Sequence, residues 1–197
     1  MKNVLHIISS ARGNQSYSQG LSSTIVRKLI EKKLANQIVE RNLSVDFPPF
    51  MDQTLIKEFY KNPDAINEGE NTTLKYAHTI LNEIKDADFI VIGTPVHNLG
   101  VAAPLKAWID QLIRFGITYG YNDDGTRIGY LRDKKVYLAI ASGGKLSDWS
   151  SDNDYTAAYI KSVFNAYTGI TDICTYRIEG TASPDFKENY EEIIKNL

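Results

Sequence analysis

Residues 88–112 read DFIVIGTPVHNLGVAAPLKAWIDQL, and the rest of the chain is organised around them. The apolar run Phe89 to Gly93 carries two isoleucines and a valine, which predicts a strand buried on both faces. The strand is expected to stop at Thr94-Pro95, because proline donates nothing to a central ladder and drives the preceding residue out of the helical region. A loop follows from Val96 to Ala103, holding His97, Asn98 and Gly100. Pro104 then opens a helix, where a missing N–H costs nothing. Leu105, Ile109 and Leu112 recur at i, i+4 and i+7, so one face of that helix packs inward. In open α/β sheets, ligands sit outside the carboxyl ends of the strands on loops of this kind. A plain βα connection with a turn-forming Asn and Gly accounts for the same residues.

Upstream, Val4 to Ile8 is a short apolar strand in which His6 reads as a packed, hydrogen-bonded core residue. It empties into Ser9 to Ser18, a loop with four serines, Arg12 and Gly13. A helix starts near Ser18, with Leu21, Ile25 and Leu29 on one face. Serine hydroxyls, backbone N–H groups and a helix N-terminus together suit a phosphate, although a polar loop with a serine cap has the same composition. Neither GxGxxG nor GxxxxGK[ST] occurs, so the dinucleotide fingerprint and the P-loop do not apply. Gln37 to Leu43 predicts the second strand, and Phe47 to Phe50 breaks the chain. Asp52 to Glu70 is a polar insertion with a short helix ending near Asn62-Pro63, a candidate lid or partner surface. A helix from Thr72 or Thr73 carries Leu74, Ala77, Leu81 and Ile84 on its inner face, with His78 partly packed.

Downstream, the tyrosine-rich segment 115–130 contains the turn Asn122-Asp-Asp-Gly125 and predicts a hairpin. Val136 to Ala141 is the fourth strand and ends in Ser142-Gly143-Gly144, where the glycines allow either a close backbone approach or a tight turn. A polar loop, Asp148 to Asp154 with Trp149, leads to a helix bearing Tyr155, Tyr159, Val163 and Ala166, which Gly169 stops. Asp172 to Ile178 is the fifth strand, with Cys174 as a small core residue. Ser183-Pro184 is expected to cap the last helix, whose face is Phe186, Tyr190 and Ile194. Five strands alternating with helices define an α/β chain, read as one domain over residues 1–197.

The composition narrows the function. A formal net charge of −2 without a stripe of Lys and Arg argues against nucleic acid. One cysteine excludes an intramolecular disulfide, and no cluster resembles a metal site. The apolar run of MKNVLHIISS is too short for a signal peptide, and none reaches the length of a membrane span. The Asn-x-Ser/Thr triplets at Asn14, Asn42 and Asn71 are therefore read as chance matches, and a cytoplasmic location is expected.

In the flavodoxin-like strand order, the loops after strands one, three and four converge at one edge of the sheet. A serine-lined phosphate pocket beside an open backbone loop and a glycine pair suits a flat ring with a phosphate tail, namely FMN. The quoted segments VLHIISSARGNQSYSQGLS, IVIGTPVHNLGVAAPLKAWIDQLIRFGITYGY and KKVYLAIASGG resemble the FMN-dependent NADH-azoreductases, which are also quinone reductases. The resemblance implies a flavodoxin-like three-layer sandwich with a five-stranded parallel sheet. It implies that Ser10, Ser16, Tyr17 and Ser18 hold the FMN phosphate. A family segment, commonly Met-Tyr-Asn-Phe, follows Pro95 along the flavin ring and falls on Val96, His97, Asn98 and Leu99. A Ser-Arg-Gly-Gly segment by the pyrimidine edge falls on Ala141, Ser142, Gly143 and Gly144. Asn98 and both glycines match, whereas His97 and Leu99 replace the aromatic pair and Ser142 the arginine.

The resemblance further implies ping-pong reduction of quinone, azo or nitroaromatic compounds by NADH or NADPH, with hydride passing through flavin N5. It implies a homodimer with the site at the interface, to which segment 115–130 and Trp108 would contribute. His97 is the candidate proton or hydrogen-bond donor on the substrate face. Two other readings use the same loops. One is an FMN-binding electron carrier. The other is a phosphodiester hydrolase, disfavoured because the serine loop contains no Asp, Glu or His.

Overall fold

The computed structural model describes residues 2–61, 72–148 and 154–197. The predicted helix end at Asn62-Pro63, the remainder of the insertion to Glu70, Asn71, and Trp149 with its loop lie outside the described residues. In chain order the elements are β1 (Asn3–Ile8), α1 (Tyr17–Glu31), β2 (Gln37–Asn42), α2 (Gln53–Phe59), α3 (Lys75–Asp86), β3 (Phe89–His97), β4 (Gly100–Val101), α4 (Ala103–Leu112), β5 (Tyr119–Tyr121), β6 (Arg127–Gly129), β7 (Lys135–Ala141), α5 (Tyr155–Val163), β8 (Asp172–Ile178) and α6 (Tyr190–Ile193).

The main sheet has the order β2-β1-β3-β7-β8, with every neighbouring pair parallel. This is the flavodoxin-like arrangement, and its order reverses between β1 and β3. Alternation along the strands divides the core. Leu5, Ile7, Ile90, Ile92, Leu138 and Ile140 face α3, α4 and α5, while Val4, Val91 and Ala139 pack with Leu21, Ile25 and Leu29 of α1. Each fully buried aliphatic side chain contributes about 1.5–3 kcal/mol of transfer free energy.

Helix α1 lies unusually close to β3. A Cβ built on Gly93 would come within 2.5 Å of Ser22 Oγ and 2.9 Å of the Ser18 carbonyl oxygen. Glycine at 93 is therefore what lets the start of α1 rest on the sheet. Beneath the same helix, His6 is 3% exposed and its Nε2 lies 2.8 Å from Ser22 Oγ. Ser22 Oγ donates to the Gln19 carbonyl (3.0 Å), so it accepts from His6 and the ring proton is assigned to Nε2. The expected buried, hydrogen-bonded histidine is borne out. Burial pushes its pKa down to about 4. Nδ1 lies 3.6 Å from the Glu40 carboxylate, but that side chain is 58% exposed and its attraction does not offset the desolvation.

Several expectations require correction. Strand β3 does not stop at Thr94-Pro95; it runs to His97, with Pro95 opposite Ala141. The Gly93 carbonyl accepts from Ser9 N–H (3.0 Å), so the Pro95 amide, two residues on, faces the same side, beyond the end of β1. No ladder donor is needed there, and proline is tolerated. Nor is Val96 to Ala103 a simple loop: Val96 and His97 pair antiparallel with Val101 and Gly100. Asn98 (φ 49°) and Leu99 (φ 65°) form the two-residue turn between them, both in the left-handed region that such tight hairpins demand. Asn adopts this readily, whereas Leu99 bears a strain of about 1–2 kcal/mol.

The inner face of α5 is Thr156, Ala157 and Ile160 followed by Phe164, while Tyr155 is exposed and Tyr159 and Val163 pack at the margin. Asp154 sets the phase of the helix by accepting from Ala157 N–H (3.0 Å). A wide turn over Phe164–Thr168 then closes on Gly169, which ends the helix as expected (φ 79°). Ser183-Pro184 caps no helix; it begins a turn, and Asn189 caps the short α6 instead. Phe186, Tyr190 and Ile194 still pack under α1. Trp108 is fully buried in the core and is not available to an interface. The predicted hairpin is present as β5 and β6. Cys174 is half-buried at the edge of the core.

Candidate functional site

The carboxyl ends of β1, β3 and β7 open into one cleft of ≈ 240 Å³. Its walls include Ser10, Ser16, Tyr17 and Ser18 from the first loop, Pro95, Val96 and His97 from β3, and Ala141 and Gly143 from β7 and its loop. The structure therefore brings together nine of the residues expected from the sequence.

Ser10, Ser16 and Ser18 are all buried. The Ser16 and Ser18 hydroxyls lie 3.1 Å apart, and Ser16 Oγ also caps α1 by accepting from Gln19 N–H (3.2 Å). Gly20 N–H donates to the Ser16 carbonyl, which leaves the amides of Tyr17 and Ser18 without intrahelical partners. Hydroxyls and first-turn amides at the positive end of a helix form a donor set for an anion.

The β3–β4 hairpin places His97 at the cleft margin, exposed to solvent, while Asn98 and Leu99 project at its tip outside the cleft. Ser142 is buried, and its hydroxyl donates to the Gly144 carbonyl (2.7 Å), so it fixes the loop and does not line the cleft. Gly144 also stays outside the cleft wall.

Sequence reasoning missed a fourth loop. After β8, Gly180, Thr181 and Ala182 donate N–H bonds to the carbonyls of Gly144, Ser142 and Gly143 at 3.3, 3.2 and 3.2 Å. This zips the two loops together, and Thr181 and Ala182 join the cleft wall. A Cβ on Gly143 would lie 3.3 Å from Ala182 Cβ, so the glycine admits this close approach. Arg12 was missed as well; it lines the cleft with its guanidinium carbon 5.7 Å from the Tyr17 ring centre. The strand order itself carried the signal for Thr181 and Ala182, since β8 is adjacent to β7.

A larger cleft of ≈ 360 Å³ lies between α2 and the chain after α4, lined by Met51, Ile56, Phe59, Phe115 and Tyr119 among others. It lacks the cluster of buried hydroxyls at a helix start. Among the described residues no group of His, Cys, Asp and Glu is arranged to hold a metal, and no helix is long and apolar enough to cross a membrane.

Over residues 2–197 the chain matches the family described as flavodoxin-like fold. It is 33% identical over 183 residues to the FMN-dependent NADH:quinone oxidoreductase of Herminiimonas arsenicoxydans, covering 92% of this chain and 89% of that protein. Among solved structures, the azoreductase of Bacillus anthracis str. Sterne superposes with a TM-score of 0.82 at 29% identity, covering 100% and 94% of the two chains. The FMN-dependent NADH-azoreductase of Bacillus anthracis str. Ames Ancestor in complex with FMN gives 0.78 at 26% identity, covering 98% and 93%. The chain belongs to this flavodoxin-like family of FMN-dependent NADH:quinone oxidoreductases and azoreductases.

Proposed function

We propose that this chain is an FMN-dependent NADH:quinone oxidoreductase that also reduces azo compounds, with FMN seated at the ends of β1, β3 and β7. The observation that carries this reading is the cleft itself. Its buried hydroxyls and first-turn amides match a phosphate, and Pro95, Val96 and Ala141 offer an apolar wall to a flat ring. At ≈ 240 Å³ it falls below the roughly 300–1,000 Å³ of pockets that enclose a ligand, so it would leave a bound flavin partly open to solvent.

Ser10, Ser16, Tyr17 and Ser18 would hold the phosphate. Pro95, Val96 and His97 would flank the ring, and Ala141 and Gly143 its pyrimidine edge. Bound FMN supplies the group that accepts hydride from the nicotinamide and passes it on. The protein's part is placement and electrostatics. The backbone N–H of Gly143 would stabilise negative charge at the pyrimidine edge. The β3–β4 hairpin holds His97 at the cleft margin, where it would donate a proton or hydrogen bond to the reduced acceptor.

An open site that donor and acceptor share would make them alternate, which is ping-pong kinetics, and would admit NADPH as well as NADH and nitroaromatic acceptors. A second copy of the chain closes the mouth in a homodimer. Large apolar side chains outside the core, Phe50 (76% exposed), Phe115 (56%) and Tyr121 (51%), support such a contact.

Steady-state assays of the FMN-loaded protein with NADH and a quinone test this reading. Parallel double-reciprocal plots are expected, and His97→Asn is expected to lower quinone turnover by roughly 10²-fold or more while leaving flavin content unchanged. Intersecting lines would rule out alternation. Full turnover in the variant from about pH 5 to pH 8 would remove His97 from the chemistry.

A further inference from the structure

The serine cluster supplies only neutral donors, whereas a phosphate monoester carries close to two negative charges near pH 7. One full positive charge stands on the cleft wall, at Arg12. Arg27, Arg41 and Arg177 each bridge two carboxylates. Arg12 forms no salt bridge among the described residues, and its guanidinium lies over the ring of Tyr17. A second cleft shares Arg12, Ser16 and Tyr17 on the outer side of the same loop, with Glu188 in its wall. The Glu188 carboxylate is engaged by the Tyr190 hydroxyl (2.7 Å) and does not neutralise the arginine.

The loop gives Arg12 a defined start. Its own N–H contacts Ser10 Oγ (3.4 Å), and its backbone leads into the short turn Gly13–Gln15, closed by Ser16 N–H on the Gly13 carbonyl (3.0 Å). The side chain therefore leaves the backbone within the same loop that carries the buried hydroxyls. From its seat over Tyr17, a planar guanidinium fork can turn to phosphate oxygens with two parallel N–H bonds. A cation over an aromatic ring, with no carboxylate partner among the described residues, is available to an anion.

We infer that Arg12 is a binding residue for the phosphate group of the flavin, the counter-charge by which this site selects the phosphorylated flavin over riboflavin. This rests on the flavin reading of the cleft. The test compares binding of FMN and of riboflavin to the wild-type apoprotein, Arg12→Met and Arg12→Lys, by quenching of flavin fluorescence at low and high salt. Arg12→Met keeps an apolar stem against Tyr17 and removes the charge.

Its FMN dissociation constant is expected to rise roughly ten- to a hundredfold at low salt, the range for loss of a charged hydrogen bond, with riboflavin binding unchanged. The salt dependence of FMN binding should shrink in the same variant, and Arg12→Lys should recover part of the affinity. Equal FMN binding by wild type and Arg12→Met would overturn the role of Arg12 alone, as would parallel weakening of FMN and riboflavin. A wild-type protein that binds no FMN would overturn the flavin reading beneath it.

Discussion

Replacing Ser16 and Ser18 together with alanine is expected to weaken FMN binding by roughly 10²–10⁴-fold. Each hydroxyl would donate to the phosphate, and a hydrogen bond to a charged group contributes about 1.5–3 kcal/mol. The two hydroxyls also contact each other at 3.1 Å, so removing both leaves neither stranded in the buried loop. Ser16 has a second task, since its Oγ caps α1 at Gln19 N–H. The double variant should therefore lose about 1 kcal/mol of fold stability as well. Riboflavin provides the control: it lacks the phosphate, and its affinity should change little. Equilibrium dialysis against both flavins distinguishes a lost phosphate site from a damaged loop. Undiminished retention of FMN would remove the serine loop from the site.

Lowering the pH should weaken the fold through His6 before ordinary carboxylates protonate. The ring is buried and neutral, with a folded pKa near 4 against an unfolded value of about 6.5. Between these two values the unfolded chain binds a proton that the folded chain refuses, so stability rises with pH across the window. The contribution is fully present above the unfolded pKa and is lost as pH falls towards the folded one. Its size is about 3 kcal/mol in total, of which about 2 kcal/mol is gone by pH 5. Denaturant titrations of wild type and His6→Gln at about pH 7 and pH 5 measure it. Gln offers an N–H to Ser22 and cannot be charged, so its profile should be flatter by that amount. An equal slope in both proteins would show that His6 does not set the acid limit. The helix at stake is α1, which is held on the sheet by the His6–Ser22 bond and by the bare backbone at Gly93.

The parts of this fold that can be read from the chain are those with strong periodicity. Phe89 to Gly93 and Val136 to Ala141 are runs too apolar to be anything but central strands, and the face Leu21, Ile25, Leu29 has one inward solution. The first, third and fourth loops were legible because serines and glycines stand immediately after those strands. Where the reading failed, a local rule met a tertiary exception. Proline at 95 signals a strand end, yet its amide faces past the end of β1, where no donor is required. Nothing in Asn98-Leu99 announces a two-residue turn, because leucine is a poor occupant of the left-handed region. In α5 both Tyr155-Tyr159-Val163 and Ala157-Ile160-Phe164 form apolar rows, and only the cap at Asp154 and the wide turn after Val163 choose between them. Thr181, Ala182 and Arg12 enter the site through sheet adjacency and loop geometry, which spacing along the chain does not encode.

If this cleft holds FMN, NADH reduces it there. The decisive observation is the absorbance spectrum of the purified protein, loaded with FMN, freed of excess and then mixed with NADH in the absence of oxygen. Bound flavin bands are expected to bleach on addition of NADH and to return when a quinone is supplied. Protein that retains no flavin, or that retains flavin which neither NADH nor NADPH bleaches, would contradict this expectation.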